Sequence, residues 1–145
     1  MLEEIFEKLS EEITDACKPF SKKIDVGFGT ISSGKNASVS IELMNFTPDF
    51  GGKNIPATPS ALSTYGFSFY IIPRHNDYLK LLHLTELISS HFEQKPFMQW
   101  TIGGKEYEMA ISSMEVPLEV MNQFWIARKK PHQPVLFYKA RVSDI

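Results

Sequence analysis

Between residues 67 and 96 the hydrophobic period of the sequence lengthens once, from two to between three and four, and this change constrains the fold more than any other feature. In "GFSFYIIP", Phe67, Phe69 and Ile71 alternate with Tyr70 and Ile72 until Pro73 closes the run, which predicts a strand. Asn76 or Asp77 then supplies a helix cap, and Tyr78, Leu81, Leu82, Leu84, Leu87, Ile88 and Phe92 form a broad apolar face as far as Gln94. At about 1.5 Å per residue this helix is roughly 27 Å long, enough to cross a small sheet. A strand feeding such a helix calls for a layered α+β arrangement.

The flanking segments supply the rest of the layers. Leu2, Ile5, Phe6, Leu9, Ile13, Ala16 and Cys17 recur at helical steps, with Glu3, Glu4, Glu7, Glu11 and Glu12 on other faces, and Pro19 stops the pattern. "KIDVGFGTIS" and "ASVSIELMNF" each alternate, through Ile24, Val26 and Phe28 and through Val39, Ile41 and Leu43, which predicts two strands with "SSGKN" as the hairpin turn between them. Residues 46–65, with three prolines, two glycines and many Ser, Thr and Asn, read as a long loop, of the kind that is either functional or disordered when alone. "PFMQWTIGGKEYEMAIS" predicts a hairpin, Phe97–Ile102 and 105–111, turning at Gly103 and Gly104. Pro117 opens a short helix over 117–128 with Leu118, Met121, Phe124 and Trp125 on its apolar side. A last strand over 135–142 places Leu136, Tyr138, Ala140 and Val142 inward and Val135, Phe137, Lys139 and Arg141 outward. The expectation is a single domain over residues 1–145: a mixed, mostly antiparallel sheet of five to six strands, two main helices and a short third.

Composition agrees with a folded soluble chain. Of 145 residues, 43% are hydrophobic and 22% charged, which fits neither a disordered nor a fibrous sequence. A net charge of −2 gives no general attraction to nucleic acid or to membrane surfaces. Cys17 is the sole cysteine, which excludes an internal disulfide and a thiolate-rich metal site and points to assembly in a reducing compartment. The acidic start does not match an export signal, and no segment reaches the roughly 20 apolar residues of a membrane-spanning helix.

A search for chemistry yields little. His83 and His91 lie eight apart on roughly one side of the long helix, but neither HExxH nor a Cys/His cluster accompanies them, so a solvated helix face is the simpler reading and no metal is expected. "GFGT" has two closely spaced glycines but lacks the lysine, third glycine and following helix of a phosphate cradle, and reads as a bulged strand end. No serine lies in a nucleophile elbow, and Cys17 sits on the inward side of its helix as a small core residue. No catalytic residue and no cofactor is therefore expected. "ARKKPHQP" gathers Arg128, Lys129, Lys130 and His132 at one elbow, which reads equally as a patch for acidic protein surface or phosphate and as a helix C-terminus carrying the cations its dipole favours.

The order of parts, the passage from residue 67 to 96, and "PLEVMNQFW" followed by a basic, proline-containing elbow and "VLFYKARV" resemble the cap, or tail-terminator, proteins of phage-tail-like contractile injection systems. In that family a short helix bearing a tryptophan leads into a strand with an early aromatic residue, ending near an aspartate or isoleucine, as Asp144 and Ile145 do here. Longer members carry additional C-terminal sequence, and residues 46–65 have no counterpart in the pattern. The resemblance implies a non-enzymatic subunit of a ring, expected to be hexameric, that sits on the distal end of inner tube and sheath and ends their polymerisation. It implies inner-tube and sheath proteins as partners, no membrane, and assembly in the bacterial cytoplasm.

On this reading the contact residues are Asp49, Phe50, Lys53 and Ile55 in the long loop, Arg128, Lys129 and Lys130 in the elbow, and Lys139 and Arg141 on the outer strand face. The alternative is a small module that binds nucleic acid or a small ligand, suggested by 12% aromatic residues and the basic elbow, with Phe137, Lys139 and Arg141 sharing one strand face. Acidic residues outnumber basic ones, 17 to 15, which weighs against nucleic acid.

Overall fold

The computed structural model describes residues 2–21, 23–29, 37–48, 65–130 and 132–144. In chain order these form α1 (Leu2–Cys17), β1 (Asp25–Phe28), β2 (Ala37–Pro48), β3 (Tyr65–His75), α2 (Tyr78–Gln94), β4 (Phe97–Ile102), β5 (Lys105–Ser113), α3 (Leu118–Ala127) and β6 (Leu136–Asp144). The strands make one six-stranded sheet in the order β1-β2-β3-β6-β5-β4, antiparallel at every pairing except β1 with β2. The α+β class and the mixed, mostly antiparallel sheet are thus as the sequence predicts.

Local chemistry explains most element ends. Asp77 caps α2, its Oδ1 accepting from the backbone N–H of Leu79 at 3.0 Å and of Lys80 at 3.4 Å. Gly103 and Gly104 have φ of 58° and 82°, the pair of positive values that a two-residue hairpin turn needs between β4 and β5. Pro117 stands one position before α3 as its cap, and its carbonyl accepts from Met121 N–H at 3.0 Å.

Two expectations about strands are corrected. β1 and β2 do not form a hairpin: they pair in parallel, Asp25 beside Ser38 and Phe28 beside Ile41, and Gly29, at φ 65°, donates its N–H to the Ile41 carbonyl at 3.0 Å. Alternation identifies a strand but carries no direction, and the turn expected at "SSGKN" lies outside the described residues. The β1 register is regular through Phe28 of "GFGT", whose Thr30 lies outside the described residues, and the register shift among the described strands is in β2 between Leu43 and Asn45, where Met44 is the extra residue. Pro73 does not end β3. It pairs with Val39 beyond Ile71, where the β6 ladder has stopped, so the strand has a neighbour on one side only and tolerates the missing N–H.

The sheet carries helices on both faces. α1 and α2 cover the inner face, where Ile5, Leu9, Ile13, Leu84, Ile88 and Phe92 meet Phe67, Phe69, Tyr138, Ala140 and Val142 in one buried cluster. α3 lies on the outer face, where Trp125 closes a second cluster with Tyr70, Ile72 and Phe137. Phe137 is therefore buried under α3, although the strand period places it outward. Leu118, Tyr78 and Leu82, expected on apolar helix faces, are 73%, 62% and 42% exposed, because each faces away from the strands its helix covers.

Candidate interaction surfaces

α3 ends in a complete C-terminal cap. Lys130 N–H reaches the Trp125 carbonyl at 3.2 Å and Lys129 N–H the Ile126 carbonyl at 3.0 Å, with Lys129 in the left-handed region at φ 55°. That position favours glycine, so a lysine there holds the elbow at some local cost. The geometry turns the chain sharply, leaving Lys129 and Lys130 exposed.

Arg128, one residue earlier, points the other way. Its Nη1 donates to Glu42 Oε2 at 2.9 Å and to the Tyr70 hydroxyl at 2.8 Å, and its Nη2 reaches Glu42 Oε1 at 3.4 Å. The guanidinium also lies 5.4 Å from the Tyr70 ring centre and 5.0 Å from that of Phe124, within range of a favourable cation–ring contact. Alongside, Arg74 Nη1 donates to Ser40 Oγ at 3.2 Å. Burial pulls the Arg74 guanidinium below its usual range, the Arg128 charge adds to that and Glu42 opposes it. Of the three elbow cations, Arg128 is thus engaged in fastening α3 to β2 and β3, whereas Lys129 and Lys130 present their charge outward.

Beyond α3 the outer sheet face is open among the described residues. Lys139 stands between Ser68 and Ser112 and Arg141 between Gly66 and Ala110 in the strand register, and both cations are exposed. The small neighbours leave a shallow trough of about 650 Å³ above the strands, walled on one side by Pro96 and by Phe97, which is 65% exposed. A second, apolar groove of about 580 Å³ runs between the start of α1 and the sheet edge, lined by Leu2, Phe6, Phe28, Ile41 and Leu43 with Glu3 and Glu7 at its rim. Sequence patterns miss both features, since each depends on which strands become neighbours. Asp49, Phe50, Lys53 and Ile55 lie outside the described residues.

The histidines of α2 turn towards neighbouring elements. His91 Nε2 lies 2.7 Å from Glu12 Oε2, and Lys95 Nζ lies 3.0 Å from Glu12 Oε1, so one carboxylate of α1 clamps the C-terminal turn of α2. His83 packs near the Phe20 ring, 6.0 Å between centres. Among the described residues no group of three or more His, Cys, Asp or Glu side chains could share an ion, and no described helix is long and apolar enough to cross a membrane. Cys17 is fully buried, and burial pushes its thiol up to about 11, so the thiolate that nucleophilic chemistry needs is disfavoured.

No protein-family model matches the sequence, and no curated protein matches it. Solved structures do. The sheath/tube terminator of an extracellular contractile injection system, PVC, in its extended state, superposes with a TM-score of 0.69 at 12% identity, covering 94% of this chain and 55% of that one. The tube-terminating cap of the anti-feeding prophage superposes with a TM-score of 0.67 at 11% identity, covering 94% of this chain and 54% of that one. The chain spans about half the length of each of these two structures. Nearly the whole chain thus has the fold found in terminator and cap proteins of contractile injection systems, as the resemblance in its sequence implies.

Proposed function

We infer that the protein is a cap, or tail-terminator, subunit of a phage-tail-like contractile injection system. The observation that carries this reading is the superposition of 94% of the chain on a sheath/tube terminator and on a tube-terminating cap. The role is structural and non-enzymatic: identical subunits close into a ring, expected to be hexameric, that sits on the last ring of inner tube and sheath and stops their growth. A terminator must offer one face to the growing end and withhold the face that would recruit a further subunit, while head-to-tail contacts around the ring close when their rotation allows. Assembly takes place in the bacterial cytoplasm, and the subunit leaves as part of the particle.

The outer sheet face and the elbow, with Lys129, Lys130, Lys139 and Arg141, are its contact surfaces, together with Asp49, Phe50, Lys53 and Ile55. Arg128 supports the elbow from within. Nucleic-acid binding through stacked aromatics is disfavoured, because Phe137, the ring that would interleave with Lys139 and Arg141, is buried.

Deletion of the gene tests the reading in cells. Tubes or sheaths of uncontrolled length are expected, and particles of normal length would refute it. With purified protein, negative-stain images should show rings.

A further inference from the structure

β4 is an edge strand without the devices that usually keep an edge from pairing. Among the described residues it is bonded on one side only, to β5, in a regular register from Phe97 beside Ala110 to Ile102 beside Lys105. One step before that register begins, the Ile111 N–H donates to the Pro96 carbonyl at 2.8 Å. Antiparallel pairs alternate, so Met98, Trp100 and Ile102 turn their backbone N–H and C=O groups towards β5, and Phe97, Gln99 and Thr101 turn theirs away from the sheet. The strand is six residues long, which is ordinary, and it holds no charge, proline or bulge. Its side chains continue both sheet faces. Met98 is buried in the inner cluster with Trp100 and Ile102 half-buried against it, while Phe97, Gln99 and Thr101 are exposed on the outer face. The opposite edge differs: β1 has only four residues, and the part of β2 that runs past it is bulged at Met44 and ends in Pro48.

We propose that β4 takes up an extended segment of the inner-tube protein as a further strand of the sheet. This rests on the cap reading above and names where the cap grips the tube, the component that both matched structures terminate. The segment must have a stated chemistry. Its backbone groups meet the outward N–H and C=O groups of Phe97, Gln99 and Thr101, and its alternate apolar side chains cover what Trp100 and Ile102 leave exposed. It needs no charge opposite β4, which has none. A second copy of this chain does not fit the role. Among the described residues its one comparable edge is its own β4, and two β4 strands paired about a twofold axis close at a dimer instead of continuing a ring. A head-to-tail sheet from β4 to the overhang of β2 is barred by the bulge at Met44 and by Pro48, which lacks an N–H.

The test is amide hydrogen exchange of the full chain, read residue by residue by NMR, alone and with the purified inner-tube protein of the same particle. Alone, the amides of Phe97, Gln99 and Thr101 should exchange at least about tenfold faster than those of Met98, Trp100 and Ile102, and with the tube protein they should slow to match them. Gln99→Pro and Thr101→Pro each remove only an outward N–H, so both should keep wild-type circular dichroism and lose tube binding by at least about tenfold in dissociation constant. Gln99→Ala keeps the N–H and should bind as wild type does. Outward amides already slow in the dilute protein would mean that the chain covers its own edge, and would overturn the proposal. Slowing that follows the protein's own concentration would assign the edge to a second copy, and slowing by sheath protein alone would assign it to the sheath; either result refutes the tube as occupant. Proline variants that bind the tube protein undiminished would overturn the proposal while leaving the cap reading intact. If a proline variant unfolds, the wild-type complex decides, and outward amides unchanged in that complex would overturn the proposal. A wild type that binds no tube protein, and whose deletion leaves particles of normal length, would overturn the cap reading as well.

Discussion

Arg128 and Glu42, 86 positions apart in the chain, meet at 2.9 Å and bind the end of α3 to the second strand of the sheet. Their side chains are 21% and 14% exposed, so water screens the pair only partly. Replacing Arg128 with Ala should lower unfolding stability by about 1–3 kcal/mol, because it strips Glu42 and the Tyr70 hydroxyl of a shared donor. Lys should not restore it, since an ammonium has neither the forked donors nor the flat face that lies over Tyr70 and Phe124. Urea unfolding of the three proteins decides this.

Lys129 occupies a left-handed position that glycine adopts without steric cost. Lys129→Gly should therefore leave the fold unchanged and stabilise it by up to about 1 kcal/mol, the gain being offset in part by the freer unfolded chain. Thermal melting at neutral pH measures it, and a lowered midpoint would contradict the cap geometry.

Trp125 and Leu118 share a helix and should behave oppositely. Trp125 is 2% exposed at the centre of the outer cluster, and Trp125→Ala should cost about 3–5 kcal/mol. Leu118 is 73% exposed, and Leu118→Ser should fall within about 0.5 kcal/mol of wild type. A large effect at Leu118 in the purified protein would mean that α3 packs by its other side.

Alkaline pH should destabilise the protein through two buried groups. Burial pushes the Cys17 thiol from 9.0 up to about 11. Burial likewise raises the Tyr138 hydroxyl from 10.0 to about 12, with a hydrogen bond to Ser89 opposing the shift. Both hold their protons more tightly folded than unfolded, so their stabilisation is complete below the unfolded values and is lost as pH rises towards about 11 and about 12. Each accounts for on the order of 2 kcal/mol across its window. Tyr138→Phe should flatten the upper part of the decline and Cys17→Ala the lower part, read as unfolding midpoints against pH.

What could be read from the sequence was what neighbouring residues decide among themselves. The Asp77 cap, the Gly103 and Gly104 turn and the apolar side of α1 are set within a few positions, and each is found as expected. The direction of β1 is not local, because its pairing with β2 depends on the path of the return. Phe137 shows the same limit: its strand period places it outside, and only the docking of α3 covers it. Among the candidate contact residues, charge alone could not separate Arg128 from Lys129 and Lys130, because its partner Glu42 lies in another strand. The trough around Lys139 and Arg141 needs the small residues of β3 and β5 beside them, which no single segment announces.

β6, the last of the described strands in the chain, lies in the middle of the sheet between β3 and β5. During synthesis the ribosome therefore delivers two separate ladders first, β1 with β2 and β3, and β4 with β5, each with an unsatisfied inner edge. Only when residues 136–144 emerge can they be joined, and the inner cluster then receives Tyr138, Ala140 and Val142 together. A nascent chain thus cannot present a finished outer face, with Lys139 and Arg141 in place, until this strand has been made.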